Sequence, residues 1–368
     1  MKALVVGGTG PTGPFIVNGL IERGYQVTIL HRGTHEIDEI PPEVEHIHVD
    51  PHFLETLQPA LEGRSFDLCV ASYGRLRHVA AAMVGKTPRL IAIGGMAYRG
   101  FINPSRNFPR GEVVPVPEDS PLAERVAGGE GPDKMGPLVV EAEKVTLDLH
   151  PNATVLRYPY VYGPHQPFSR EWNIVRRLRD ERPYMLVPDG GRYLFHHGYA
   201  ENMAHSVLLC VDNPDVSSGQ IYNCGDDKQL TLLQIIEIIS AALRRDIEII
   251  SVPGQVGILT RPLYMMPHCE HNILDTFKIR SELGYKDVIS PIEGFARSCQ
   301  WLMDHPPEHG GTFEQNSGDK FNYQAEDRFV QIYRQCLSQL SEFEWKEVLI
   351  QHPYPHPKTP GARDQRGR

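Results

Sequence analysis

The sequence predicts an α/β fold built on a doubly wound parallel sheet. The chain opens with a short apolar run, Lys2 to Val6, followed by a glycine-rich turn and by Phe15 to Ile21, where apolar residues recur at helical spacing. Further apolar runs of strand length alternate with helix-like segments as far as residue 158. Such alternation is typical of a parallel sheet with helices on both faces.

The glycine-rich turn has the sequence Gly7-Gly8-Thr9-Gly10-Pro11-Thr12-Gly13. Glycine permits positive φ and a close approach of the backbone, and a helix N-terminus presents N–H groups to an anion. The order of strand, turn and helix therefore predicts a pyrophosphate-binding turn; the alternative is an ordinary glycine turn with no nucleotide. The residues expected to contact a cofactor here are Gly7, Thr9, Gly10, Pro11, Thr12 and Gly13.

The second strand, within Gly24 to Leu30, leads into His31-Arg32-Gly33. An NAD-specific site normally has Asp or Glu near this strand end to hold the ribose 2′-OH. This chain has Arg32 instead, and a guanidinium favours a 2′-phosphate. We therefore expect NADP(H) rather than NAD as the cofactor.

Three more strands, Val44 to Asp50, Phe66 to Ala71 and Arg89 to Ile93, alternate with the helices Phe53 to Leu61 and His78 to Val84. Ligands of such sheets bind beyond the carboxyl ends of the strands. A carboxylate at the end of the third strand can accept a hydrogen bond from the adenine amino group. Further cofactor contacts are therefore expected from Asp50, Ala71, Ser72, Tyr73, Gly94, Pro159 and Val161.

Two histidine-containing segments raise the question of a metal site. His46, His48, Asp50 and His52 share one parity, and His268-Cys269-Glu270-His271 has a spacing that a metal could use. Period-two histidines at a strand end are usually a polar face, and neither segment has a further ligand cluster that the sequence identifies. We therefore expect no metal.

The rest of the chain predicts a smaller substrate lobe and an added C-terminal segment. Phe101 to Asp133 is a long loop, and helices are expected over Pro137 to Leu149, Arg170 to Arg182 and Thr231 to Leu243. The predicted domains are residues 1–165 plus about 196–228 for the dinucleotide, about 166–195 plus 229–304 for the substrate, and 305–368 as an extension. In the extension we expect a linker over 305–322, a helix over about 325–340 and a flexible tail.

Together these motifs resemble the extended short-chain dehydrogenase/reductase superfamily, in particular atypical NADP-binding members of its epimerase/dehydratase branch. Besides the glycine-rich turn, Arg32 and Asp50, the resemblance rests on the run from Leu156 to Pro164, on Tyr199 to Ala204 and on Phe277 to Tyr285. It covers about residues 1 to 304 and implies a Rossmann-type domain with a nicotinamide cofactor.

Three departures from the family's pattern affect the expected chemistry. Gly94 stands where the family usually has Ser or Thr. Counting back from Glu141 places Pro137, not lysine, at the position of the lysine in Tyr-x-x-x-Lys. Phe195 stands where nucleotide-sugar enzymes tend to have an arginine. The family's tyrosine acid and its lysine, which lowers the tyrosine pKa, are therefore not carried over to this chain.

The replacement candidates for catalysis are Tyr98 and Lys134. Tyr98 follows the fifth strand and could donate a proton, or it could be a packed tyrosine that caps the sheet. Lys134 lies three residues from the usual lysine position and could hold the ribose, or it could be a solvated lysine. Tyr73 and Tyr160 flank the same crevice and rank below Tyr98.

Composition narrows the functional classes. A net charge of -9 argues against a nucleic-acid binder that uses a basic face, and six scattered cysteines are typical of reduced thiols in a cytoplasmic protein. We expect no secretory leader, no membrane span and a small-molecule substrate. The helix expected over about 325–340 would pack either on the body of the protein or on a second subunit of a homodimer. The first hypothesis is an NADPH-dependent oxidoreductase acting on a carbonyl, enone or imine; the alternatives are a redox-inactive NADP-binding regulatory or interaction protein and a nucleotide-sugar epimerase or dehydratase.

Overall fold

The computed structural model describes residues 1–72, 74–254, 270–344 and 359–363. The chain divides into two compact units, Met1–Lys320 and Phe321–Arg368. The second unit contains one long helix, Tyr323–Ser341, which includes the predicted 325–340 helix. The predicted domain boundaries inside the first unit stay predictions.

A parallel sheet forms the centre of the first unit. Its seven strands, among the described residues and in spatial order, are β10 (Ile221–Asn223), β6 (Thr154–Tyr158), β5 (Leu90–Gly95), β4 (Leu68–Ala71), β1 (Lys2–Val6), β2 (Gln26–His31) and β3 (Glu45–His48). The chain adds strands on one side of β1 and then moves to the other side through β4. This order confirms the predicted doubly wound α/β fold, and it places the point where the order reverses between β1 and β4.

Helices and shorter strands complete the first unit. The helices are α1 (Gly13–Glu22), α2 (Leu54–Ala60), α3 (Leu76–Ala82), α4 (Arg99–Ile102), α5 (Pro132–Leu149), α6 (Glu171–Arg179), α7 (Ala200–Asp212), α8 (Pro214–Ser217), α9 (Leu232–Leu243), α10 (Phe277–Leu283), α11 (Pro291–Asp304) and α12 (Thr312–Asn316). Outside the central sheet, β7 (Tyr160–Tyr162) pairs with β9 (His197–Tyr199), and β8 (Tyr184–Pro188) pairs with β11 (Glu248–Val252).

The sheet separates two apolar layers. Alternate residues of β1 point to opposite faces, so Ala3 and Val5 join one buried cluster while Leu4 and Val6 join another. All four side chains are 0% exposed, as expected for a central parallel strand covered on both faces. The apolar run that opens the sequence is therefore an inner strand of the sheet, covered on both faces.

The helix predicted over Pro137 to Leu149 begins earlier than expected, because α5 starts at Pro132 and so takes up the last two residues of the predicted loop. Proline is tolerated in the first turn, where its missing N–H has no helical partner. The same predicted loop also contains part of α4, which spans Arg99–Ile102. Lys134 therefore lies in the first turn of a helix and not in a loop.

The predicted linker after residue 304 is held against α6 by hydrogen bonds and ion pairs. Glu314 of α12 accepts hydrogen bonds from Trp172 Nε1, at 2.9 Å, and from Arg176. Arg177 Nη1 lies 2.5 Å from Asp319 Oδ2. These arginines are buried, so the charged face of α6 is packed against α12 and the segment that follows it. Among the described residues, no helix is both long and apolar enough to cross a membrane.

Candidate functional site

The glycine-rich turn forms a tight cradle before α1. Gly7 and Gly8 have φ of 112° and 96°, in the region that favours glycine. A Cβ at Gly13 would lie 2.0 Å from the Gly8 carbonyl oxygen, whereas a Cβ at Gly10 would meet no atom within 4 Å. The turn is therefore packed on its inner side and open at Gly10.

The N-terminus of α1 is suited to an anion. Within the described part of the chain, no side chain caps this helix, and Pro14 occupies its first turn. N–H groups of a first helical turn that lack a capping side chain can donate to a bound phosphate. Thr12 and Gly13 are nearly buried, while Thr9, Gly10 and Pro11 are partly exposed on the open side. These features fit a dinucleotide pyrophosphate.

Arg32 and Asp50 lie at the carboxyl ends of β2 and β3. Arg32 is exposed and directly follows β2. Asp50 Oδ1 accepts hydrogen bonds from the His52 N–H, at 2.9 Å, and from His52 Nδ1, at 2.7 Å. The His52 N–H is the main cause that lowers the pKa of Asp50, and the charge of Arg32 acts in the same direction. Asp50 is therefore an ionised acceptor, as its predicted role requires.

The predicted cofactor contacts at the ends of β4, β5 and β6 are mostly apolar residues or glycine. The Ser72 hydroxyl donates to the Val6 carbonyl at 2.9 Å, which ties β4 to β1, and Ala71 is buried. Gly94 is partly exposed and lies opposite Arg157. Pro159 is buried between β6 and β7, and Val161 is half-buried in β7. Tyr73, a predicted cofactor contact, lies outside the described residues.

Tyr98 is in a buried polar network. It is 0% exposed, and its hydroxyl donates to Asn223 Oδ1 at 2.6 Å and accepts from Arg157 Nη1 at 2.8 Å. Two hydrogen bonds of 2.9 and 2.7 Å join Arg157 to Glu143. Burial raises the pKa of Tyr98 to about 12. This environment favours the packed-tyrosine interpretation over the proton donor.

Lys134 is exposed at the start of α5. The hydrogen-bonding partners of the Tyr98 hydroxyl are Asn223 and Arg157, so the structure does not pair Lys134 with that hydroxyl. Glu141, which follows in the same helix, is paired with Arg125 at the surface. The sequence motif near Leu156 contained Arg157, but no sequence signal linked it to Glu143.

A second polar cluster surrounds Tyr160 of β7. The Arg170 guanidinium lies 4.7 Å from the centroid of the Tyr160 ring, and the Tyr160 hydroxyl donates to Glu171 Oε2 at 3.2 Å. Burial lowers the pKa values of His196 and His197 to about 3, so both rings are neutral at pH 7. Arg170 is therefore the cation of this cluster, and it lies beside the buried carboxyl group of Glu171.

Sequence comparison finds relatives that match part of the chain. No family model matches the chain. An uncharacterized Escherichia coli K12 protein, YbjS, is 29% identical over an alignment of 173 positions that covers 41% of this chain and 50% of that protein. The chloroplast stem-loop binding protein of 41 kDa b of Arabidopsis thaliana is 24% identical over an alignment of 244 positions that covers 62% of this chain and 60% of that protein. The chain thus spans only half to three fifths of these relatives.

Solved structures match over a larger part of the chain. UDP-glucose 4-epimerase of Thermotoga maritima, solved with UDP-glucose, has a TM-score of 0.66 at 17% identity and covers 83% of this chain and 100% of its own. DesIV, a dTDP-glucose 4,6-dehydratase of Streptomyces venezuelae solved with NAD bound, has a TM-score of 0.60 at 20% identity and covers 83% of this chain and 97% of its own. This likeness confirms the fold implied by the resemblance to extended short-chain dehydrogenases/reductases.

Proposed function

We propose that this protein is an NADP(H)-dependent oxidoreductase that reduces a small organic substrate, such as a carbonyl, enone or imine. The observation that carries the proposal is the open glycine cradle at the start of α1, with the exposed Arg32 directly after the neighbouring strand β2. The cradle would bind the pyrophosphate, Arg32 the 2′-phosphate and Asp50 the adenine amino group. When bound, the cofactor supplies a hydride.

The protein's own contribution is binding and orientation. The Tyr98 hydroxyl is buried and hydrogen-bonded to Asn223 and Arg157, so we do not propose Tyr98 as the proton donor of the reaction. An activated alkene or an iminium needs less proton donation from the protein than a ketone, because protonation can come later or from water. We therefore favour these acceptors.

A redox-inactive NADP-binding protein is the second candidate. Two observations favour it, the complete burial of Tyr98 and the absence of a side chain at Gly94. The structural neighbours are named as nucleotide-sugar enzymes, which suggests an epimerase or dehydratase as a further hypothesis. Phe195 and Gly94 stand in place of residues that such enzymes tend to have, and this weakens the hypothesis. The relative named for stem-loop binding raises RNA binding, which the net charge of -9 disfavours.

Calorimetry on the full chain tests the cofactor. We expect NADPH to bind more tightly than NADH, and Arg32→Ala to weaken NADPH about 10- to 100-fold, which is the loss of about 1.5 to 3 kcal/mol for a hydrogen bond to a charged group. NADH affinity should change little. Arg245→Ala, which removes the same charge from a surface ion pair with Glu181, is the matched control. Absence of heat with either dinucleotide would refute the proposal.

Turnover separates the oxidoreductase, the redox-inactive protein and the epimerase. NADPH oxidation on addition of a carbonyl, enone or imine compound supports the oxidoreductase. Tight NADPH binding that stabilises the fold, with no oxidation across the whole panel, supports the redox-inactive protein. Retained cofactor that is not consumed, together with binding of a sugar nucleotide, would support an epimerase.

A further inference from the structure

Three histidines meet at the carboxyl ends of β2 and β3. His46 and His48 are two residues apart in β3 and so share one face. In the parallel register, His31 lies opposite His48 and Ile29 lies opposite His46, which places His31 on that same face. Glu36, from the segment after β2, lies against all three rings. The sequence showed the parity of His46 and His48, but it did not show the strand register or the return of Glu36.

The distances in this cluster resemble those of a metal site. His31 Nε2 lies 3.2 Å from His46 Nδ1, and the two Glu36 oxygens lie 3.2 Å from His46 Nδ1 and from His48 Nε2. His31 Nε2 lies 3.7 Å from Glu36 Oε1, and all four ligand atoms fall within 4.8 Å of one another. Ligands about 2.0 to 2.1 Å from a tetrahedral zinc ion lie about 3.3 to 3.4 Å apart. The pairs at 3.2 Å already match this separation, whereas the widest pair, within 4.8 Å, would have to close by up to about 1.4 Å when the ion binds.

We propose that His31, Glu36, His46 and His48 bind one divalent transition-metal ion of the zinc type. Three imidazoles and one carboxylate are the donors that zinc prefers, whereas Mg²⁺ and Ca²⁺ prefer oxygen ligands. The side chains of His48 and Glu36 are 55% and 50% exposed, which gives an ion a path from solvent, and His31 at 5% forms the floor. This proposal does not depend on the dinucleotide.

One hydrogen bond opposes the proposed site. The Gly33 N–H donates to His31 Nδ1 at 3.3 Å, which places the proton of a neutral ring on Nε2. Coordination through Nε2 requires the other tautomer, so this contact would be given up. At 3.3 Å it is beyond the usual 2.7 to 3.2 Å range for a hydrogen bond, and its loss costs little.

Zinc binding to the full-length protein, stripped of metal with a chelator and free of dinucleotide, tests the site. Calorimetry with ZnCl₂ should show one site per chain, and CoCl₂ should give the visible absorption of four-coordinate cobalt. His46→Ala/His48→Ala should weaken zinc at least about 100-fold, since even second-shell changes cost about 10- to 100-fold. MgCl₂ should not compete.

The matched control is His52→Ala/His78→Ala, which removes two imidazoles close to β3 that are not in the cluster. It should keep zinc affinity within about threefold of the original protein. Glu36→Gln removes only the carboxylate from an exposed side chain, so it reports on the site even if the double variant does not fold. We expect it to weaken zinc about tenfold or more.

Equal zinc affinity in the original protein and in the Glu36→Gln and His46→Ala/His48→Ala variants would overturn the proposal. So would an equal loss in the His52→Ala/His78→Ala control, because zinc would then bind elsewhere. If the original protein binds no zinc, and only NADPH affinity falls in the cluster variants, the histidines serve the dinucleotide and the metal proposal fails. Failure of NADPH binding with retained zinc binding would refute the proposed function alone.

Discussion

Replacing Tyr98 by phenylalanine distinguishes a structural tyrosine from a catalytic one. The change removes a hydroxyl that is hydrogen-bonded to Asn223 Oδ1 and to Arg157 Nη1. Arg157 Nη1 keeps its 2.7 Å bond to the Glu118 carbonyl, and its other nitrogens keep Glu143. The Asn223 oxygen, in a side chain that is 0% exposed, loses this donor. A buried polar group left unsatisfied costs about 1 to 3 kcal/mol, so we expect a loss of about 2 kcal/mol in unfolding free energy.

Urea unfolding followed by tryptophan fluorescence measures this loss, and NADPH titration and turnover complete the test. We expect NADPH affinity and any turnover to change less than twofold. Tyr25→Phe, at a partly exposed tyrosine directly before β2, should change stability by less than about 0.5 kcal/mol. Unchanged stability together with lost turnover or lost NADPH affinity would show that the Tyr98 hydroxyl acts on a ligand.

Three further perturbations test other parts of the molecule. Gly13→Ala puts a Cβ 2.0 Å from the Gly8 carbonyl oxygen, so we expect a stability loss of about 2 kcal/mol by thermal unfolding and loss of dinucleotide binding by calorimetry. Glu143→Gln leaves the Arg157 charge buried, and urea unfolding should show a loss of about 3 kcal/mol. Burial raises the pKa of Asp226 to about 7, above its unfolded value, so its contribution to stability is complete below about pH 4 and is lost as the pH rises through 7. Asp226→Asn should flatten that decline in a pH series of unfolding curves.

The central sheet was predictable because its strands carry their own signals. A fully buried parallel strand reads as an apolar run, as in β1, and strands alternating with helices indicate the doubly wound order. The start of α9 was predictable in the same way, because Thr231 is a typical capping residue. Its hydroxyl accepts a hydrogen bond from the Gln234 N–H in a capping box. Such local signals need no knowledge of distant contacts.

Contacts between distant residues were not predictable in this way. Glu314 and Asp319 read as polar linker residues, yet they pair with arginines on α6 more than a hundred residues earlier. Tyr98 and Glu143 meet at Arg157 only because β5, β6 and α5 pack together. Polar residues in a turn or on a helix are usually solvated, and only the tertiary structure shows which of them are buried.

At the end of β5, Gly94 stands where the family that this chain resembles usually has Ser or Thr, and packing does not require glycine at this position. A Cβ at Gly94 would lie 3.4 Å from Val155 Cγ1 and 3.8 Å from the Leu156 carbonyl, which are ordinary contacts. A Cβ would therefore fit there, unlike at Gly13. Since Tyr98 is also buried, neither of these two positions supplies a hydroxyl to a ligand. The protein thus combines a cradle that requires glycine with an edge of the sheet where a Cβ would be tolerated, so the structure provides for cofactor binding but supplies no hydroxyl for proton transfer at these two positions.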